Sequence, residues 1–206
     1  MKRDLHLVIL VILVNSLLAL GCLEGLRQDR LVAPVAAEVL RFRVLANSDS
    51  EEDQALKLLV RDRLLDEMSR GLNAAASSEE AETYAVSHQQ ELIEAAQTAI
   101  QEAGFSYPVS LSVGDFYFPE KTYGDMTFPR GTYRAVKVEI GKAEGSNWWC
   151  VLYPALCFTD AVTAEVPKES REKLEHVLTE EDCQLLDGQV EVRSAFLDWI
   201  GSLFHS

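Results

Sequence analysis

Catalytic signatures are missing from this chain. It holds no GxSxG nucleophile elbow, no HExxH zinc pair and no glycine-rich phosphate loop. The common hydrolase, zinc-peptidase and nucleotide-binding chemistries therefore have no local carrier. Histidine is scarce: only His88 and His176 fall in the expected folded body, apart from the near-terminal His205. His88 lies on the apolar stripe of an expected helix and reads first as a half-buried histidine with a local hydrogen bond. His176 sits among charges and reads as a solvated helix residue. Cysteine is scarce too. Cys22, Cys150, Cys157 and Cys183 are too few for a disulfide scaffold, and their spacing fits no paired CxxC zinc site. No metal and no cofactor is expected. Basic residues are outnumbered 33 to 19, giving a net charge of −14. Such a body repels nucleic acid and anionic lipid surfaces, so neither is expected as its partner. With that many carboxylates, close pairs arise by chance, and none stands out for acid–base work.

What is present begins with a targeting segment. Lys2 and Arg3 precede Leu5–Cys22, which is apolar except for His6, Asn15 and Ser16. As a helix this run is roughly 27 Å long, close to the hydrocarbon thickness of a bilayer. The positive charges should stay inside while the body crosses. Three fates are open: cleavage as a signal peptide, with Ala36-Ala37 as a candidate site; retention as a single-pass anchor; or lipidation at Cys22, since Ala19-Leu20-Gly21-Cys22 partly resembles a lipobox. All three place the body outside the cytoplasmic membrane. The expected organisation is residues 1–22 as targeting segment or anchor, 23–38 as linker and 39–204 as one domain.

The 206 residues, 48% of them apolar, suit one medium domain with a short extra segment. Leu40–Leu45 alternates as a strand. Ser48 with Glu51 fits a capping box, and the helix after it carries Leu56, Val60, Leu64 and Met68 on one stripe, with Leu59 and Leu72 flanking and Gly71 as a stop. Glu51, Glu52 and Asp53 suit its first turn. Ser77 with Glu80 opens a second long helix, expected to run to Ala103 and end at Gly104, with Tyr84, Leu92, Ala96, Ala99 and Ala103 on one face. Then the period changes to two: strands are expected at Val109–Val113, Val136–Ile140 and Asn147–Tyr153, the last two as a hairpin across the polar turn 141–146, with Pro154 ending the third. Residues 164–189 suggest one or two short helices. Gln189–Arg193 reads as a strand, and Phe196, Leu197, Ile200, Leu203 and Phe204 mark an amphipathic terminal helix. The fold class expected is α+β: two long helices packed on a small antiparallel sheet, plus a C-terminal helix.

Aromatic side chains give the candidate binding residues. Trp148 and Trp149 are adjacent in a strand and so point to opposite faces; one can be core, and the other needs a cover. Tyr117, Tyr123 and Phe128 fall in Phe116–Gly131, a stretch containing proline and glycine that reads as too irregular for a strand. Aromatics on such a loop are candidate partner anchors, or a loop folded over the core. A strand, a proline turn and a return can bring Cys150 and Cys157 together as a disulfide, which an exported location permits. The alternative is two reduced, buried thiols acting as small hydrophobes.

Four stretches resemble a known family. They are Arg41-Phe42-Arg43-Val44-Leu45-Ala46-Asn47-Ser48-Asp49-Ser50 with Asp53-Gln54-Ala55-Leu56-Lys57; Pro119–Gly124; Phe128-Pro129-Arg130-Gly131-Thr132-Tyr133; and Asn147-Trp148-Trp149-Cys150 through Leu156-Cys157-Phe158. They resemble the stage II sporulation protein R family of endospore-forming bacteria. That resemblance implies a signal rather than an enzyme: a protein made in the forespore, exported into the space between forespore and mother cell, that binds and activates a membrane-embedded aspartic peptidase processing the precursor of sigma-E. It carries over no catalytic or binding residue set, and contact with the membrane is expected only through the amino-terminal segment. Two other classes are an exported hydrolase using His88 and a passive structural protein of the envelope.

Overall fold

The computed structural model describes residues 2–157, 166 and 168–187. Six helices and six strands occur among them: α1 (Lys2–Glu38), β1 (Leu40–Leu45), α2 (Glu51–Ala74), α3 (Ser78–Ser87), α4 (Gln89–Glu102), β2 (Val109–Phe118), β3 (Lys121–Tyr123), β4 (Met126–Phe128), β5 (Gly131–Ile140), β6 (Asn147–Tyr153), α5 (Lys168–Val177) and α6 (Glu180–Leu186). Among the described residues, no helix is long and apolar enough to cross a membrane. Within the apolar run Leu5–Cys22, the side chains of residues 5, 7–10, 12 and 13 lie outside that description. The segment expected as a linker, 23–38, is the second half of α1. The strand expected at Gln189–Arg193 and the amphipathic segment around Phe196–Phe204 lie outside the described residues.

Local chemistry accounts for the helices. Ser50, not Ser48, caps α2: its Oγ accepts from the Asp53 amide at 3.2 Å. The Ser48 hydroxyl is already committed to the Asp53 carboxylate at 2.5 Å, which moves the cap two residues along. Leu56, Val60, Leu64, Met68 and Leu72 are buried as the stripe requires, whereas Leu59 is exposed. Gly71 does not stop α2, which runs to Ala74. Instead its bare Cα faces the Tyr84 ring, where a Cβ would collide. Ser77 caps α3 by accepting from the Glu80 amide. The single long second helix expected is broken at His88, whose backbone leaves helical geometry between α3 and α4. Gly104, at φ +84°, then ends α4: the Phe105 amide bonds the Ile100 carbonyl and the Gly104 amide bonds that of Gln101. This reversal needs the left-handed conformation that glycine adopts without strain.

The sheet is mixed, not antiparallel. Its order is β2-β5-β1-β6, with β1 parallel to β5 and antiparallel to β6. The hairpin expected between β5 and β6 does not form, because β1 sits between them. The polar turn 141–146 instead folds over the end of β1, where the Gly145 amide bonds the Ala46 carbonyl at 3.0 Å. Segment Phe116–Gly131 is also corrected. β2 continues through Phe118, paired with β5 as far as Gly131, and β3 and β4 form a separate two-stranded hairpin. Glycine and proline there mark strand ends rather than an irregular loop.

Both sheet faces are covered. On the first, Phe42 and Val44 of β1 and Val136, Val138 and Ile140 of β5 pack beneath α2, α3 and α4. On the second, Phe118, Phe128, Tyr133, Ala135 and Val151 pack with Val32, Val35 and Val39 from the end of α1 and its edge, and with Leu174 and Leu186 of α5 and α6. Burial on both faces suits the central position of β1, which pairs with β5 on one side and β6 on the other.

Candidate functional site

Period two places Arg41 and Arg43 of β1 on the second face of the sheet. Arg41 is completely buried. Its guanidinium carbon lies 4.5 Å from the centroid of Phe118, 4.9 Å from Tyr133, 5.2 Å from Phe128 and 5.7 Å from Tyr123. Nε donates to the Cys150 carbonyl at 3.1 Å, and Nη2 donates to the Tyr123 hydroxyl at 3.1 Å. Nη1 has no hydrogen-bond partner and no carboxylate pairs with Arg41 among the described residues. Burial pushes the guanidinium pKa down, against the nearby Tyr123 and Tyr133 hydroxyls. The same burial pushes Tyr133 up to about 12. The cation is thus held by ring faces and two dipoles, an arrangement that binds charge but moves no proton.

Arg43 continues this face towards solvent. It lies 5.2 Å from the Phe116 ring and 5.3 Å from Trp149, and Lys137 approaches Phe116 from β5 at 5.0 Å. Lys137 also pairs with Glu139 at 2.9 Å. Burial lowers the Arg43 pKa, with Glu139 opposing. A band of alternating rings and cations therefore runs from the closed cage at Arg41 to a half-exposed rim.

The five aromatic residues singled out from the sequence divide. Tyr117 is 59% exposed at the far end of β2. Tyr123 is half-buried and tied to Arg41. Phe128 is fully buried, so it is a core residue and not a free partner anchor. Trp148 lies on the first face, edge-on to Phe42 at 6.1 Å and beneath Arg61 at 4.8 Å. Trp149 lies on the second, against Phe118. The two tryptophans cannot share one contact surface. Cys150 and Cys157 are joined as a disulfide with a Cα–Cα distance of 5.3 Å, and Cys22 is exposed on α1. His88 stacks on Tyr84 at 4.1 Å, with Nδ1 2.9 Å from the Tyr84 carbonyl oxygen. No group of three or more histidine, cysteine or carboxylate side chains placed to hold a metal occurs among the described residues. Sequence reasoning missed Arg41 and Arg43 as members of the site. The available signal was two arginines alternating through an apolar strand in a chain rich in nearby aromatics.

The Asn47–Ser50 stretch is a latch. The Asp53 carboxylate accepts from Asn47 Nδ2 at 2.7 Å and from the Ser48 hydroxyl. The Asp49 carboxylate accepts from the Ser146 amide and hydroxyl, both at 2.7 Å. Asn47 Oδ1 accepts from the Lys142 amide at 3.0 Å, and Lys57 donates to the Ser146 carbonyl at 3.0 Å. These bonds hold the pKa values of Asp49 and Asp53 down. Their role is to fasten the start of α2 to the turn between β5 and β6, which fixes β1 and its two arginines in place.

The four stretches noted in the sequence thus converge on two structures, the arginine cage and the latch. The family model for stage II sporulation protein R (spore_II_R) matches residues 36–163, which include both. A curated relative, the stage II sporulation protein R of Bacillus subtilis (strain 168), is 33% identical over 228 aligned positions, covering 99% of this chain and 100% of the relative. No solved structure matches the chain.

Proposed function

Because the chain belongs to the stage II sporulation protein R family and so has a role in sporulation, we propose that it is the exported signal of that process. On this reading it crosses the forespore membrane, binds a membrane-embedded aspartic peptidase and favours that peptidase's active state. Processing of the sigma-E precursor follows. The protein itself is not the enzyme. A ligand shifts a two-state receptor only if it binds the active state more tightly than the inactive one.

The observation that carries the reading at the level of residues is the meeting of two segments on one face. Phe116 from β2 and Trp149 from β6 flank Arg43 on the second face of the sheet. Half-exposed aromatics with an arginine between them are the residue types enriched at protein–protein contacts. The strong negative charge elsewhere argues for a protein partner over nucleic acid or lipid headgroups. The hydrolase alternative finds no support at His88, whose Nδ1 is engaged with the Tyr84 carbonyl and the Ser87 hydroxyl.

The test is co-expression of this chain with the candidate peptidase and the precursor. Processing is expected with the intact chain, and loss of processing with Trp149→Ala or Arg43→Glu, provided the variant melts as the parent does. Full processing by both folded variants would remove this face from the proposal. Full processing without the chain would remove the signalling role.

A further inference from the structure

We propose that residues 32–39 belong to the working protein, so that any processing cut lies before Val32 and not at Ala36-Ala37. The proposal rests on the export reading for its biology, but its physical basis is independent of it. Val32, Val35 and Val39 are 2%, 0% and 1% exposed. Their spacing puts the first two on one helical stripe, with the third where the chain leaves α1. They close the second core against Phe118, Met126, Phe128 and Tyr133.

Two further contacts show that this end of α1 has a built seat. Gly131 opens β5 where a Cβ would lie 2.7 Å from Val32 Cγ1, so the valine occupies the space a side chain would need. The Ala37 carbonyl accepts from the Ser78 hydroxyl at 2.8 Å, which ties the last turn of α1 to the start of α3. A peptide bond in a docked helix reaches a peptidase only when that segment opens locally. A cut between Ala36 and Ala37 would also strip Val32 and Val35 from the core and uncover the rings that hold Arg41.

The experiment has two arms, both on the full chain. In the first, the protein carrying a carboxy-terminal tag is recovered from sporulating cells and its amino terminus is determined by mass spectrometry. An amino terminus at Val32 or earlier is expected, the uncut chain included. A folded product beginning at Ala33 or later would overturn the proposal. Confinement of the chain to the forespore cytosol would instead overturn the export reading, and the second arm would still judge this one. There, Val35→Asp is compared with Ala33→Asp, a substitution at an exposed position of the same turn. Val35→Asp should lower Tm by about 10 °C or more, whereas Ala33→Asp should shift it by about 2 °C or less. Equal Tm values for the two variants would overturn the proposal.

Discussion

Phe118 and Trp149 meet edge to face with ring centroids 4.8 Å apart, although they stand on the two edge strands of the four-stranded sheet. Three interstrand steps would separate those edges by about 14 Å in a flat sheet. The contact therefore requires the long β2–β5 arm to curl across the second face. That curl closes the rings around Arg41 and leaves Arg43 at the opening.

Arg41 should tolerate the loss of its charge better than the loss of its volume. Arg41→Ala would leave a cavity among Phe118, Phe128 and Tyr133 and should cost about 3 kcal/mol or more. Arg41→Met keeps an unbranched chain against the rings and removes a buried charge with no carboxylate partner, so it should lie well above the alanine variant in stability. Arg41→Lys should fall below Arg41→Met, since an ammonium cannot span the Cys150 carbonyl and the Tyr123 hydroxyl while lying flat on the rings. Urea unfolding of the three variants gives the order directly.

Tyr117 and Phe128 separate binding from folding. Tyr117→Ala should change stability by about 0.5 kcal/mol or less, because the ring is exposed. Phe128→Ala should cost about 3–5 kcal/mol, because the ring is fully buried in the second core. Chemical denaturation distinguishes them, and only Tyr117→Ala is then a fair probe of partner binding.

At Gly71 the usual helix rule should reverse. Replacing an interior helix glycine by alanine normally gains about 1 kcal/mol. Here the new methyl would collide with the Tyr84 ring. Gly71→Ala should therefore lower Tm, and Gly71→Ala combined with Tyr84→Ala should recover part of the loss. Thermal melts of the single and double variants provide the comparison.

Acid and alkali should act at different places. Hydrogen bonds from Ser48 and Asn47 hold the Asp53 pKa below its unfolded value of about 3.9. Its contribution is present above that value and is lost as pH falls through the lower folded pKa. Asp53→Asn should flatten the acid limb of a stability–pH curve. Tyr133 has the opposite sign: burial raises it to about 12, so its contribution is complete below about 10 and is lost as pH rises through about 12. An ultraviolet titration should show one tyrosine that ionises only near that upper limit, and Tyr133→Phe should abolish it.

Reduction should loosen the end of β6. Cys150 and Cys157 are seven residues apart. Closing so short a loop contributes about 2–3 kcal/mol on the chain-entropy estimate. Melting with and without a thiol reductant should show a fall of that size, and Cys150→Ala with Cys157→Ala should be insensitive to the reductant.

Much of this was legible because it is local. The stripe Leu56-Val60-Leu64-Met68, the cap at Ser77, the stop at Gly104, strand β1 and the link between Cys150 and Cys157 each depend on residues a few positions apart. The shift of the α2 cap from Ser48 to Ser50 was not legible, since it depends on how the Asp53 carboxylate divides its hydrogen bonds. The break at His88 was hidden for a similar reason: the apolar spacing continues through it, and only the stacking on Tyr84 marks the junction.

The sequence by itself determined the two periodicities, the caps, the acidic surface and the family, because each is written in short-range spacing or residue type. Tertiary structure alone decided that β1 lies between β5 and β6, that Arg41 is core and that α1 ends inside the body. Strand order is set by pairing across long chain separations, which period-two patterning does not encode. Arginine at an alternating position reads as exposed, because burying its charge without a carboxylate is rare. Here four aromatic faces and two hydrogen bonds from distant parts of the chain supply what water would have given it.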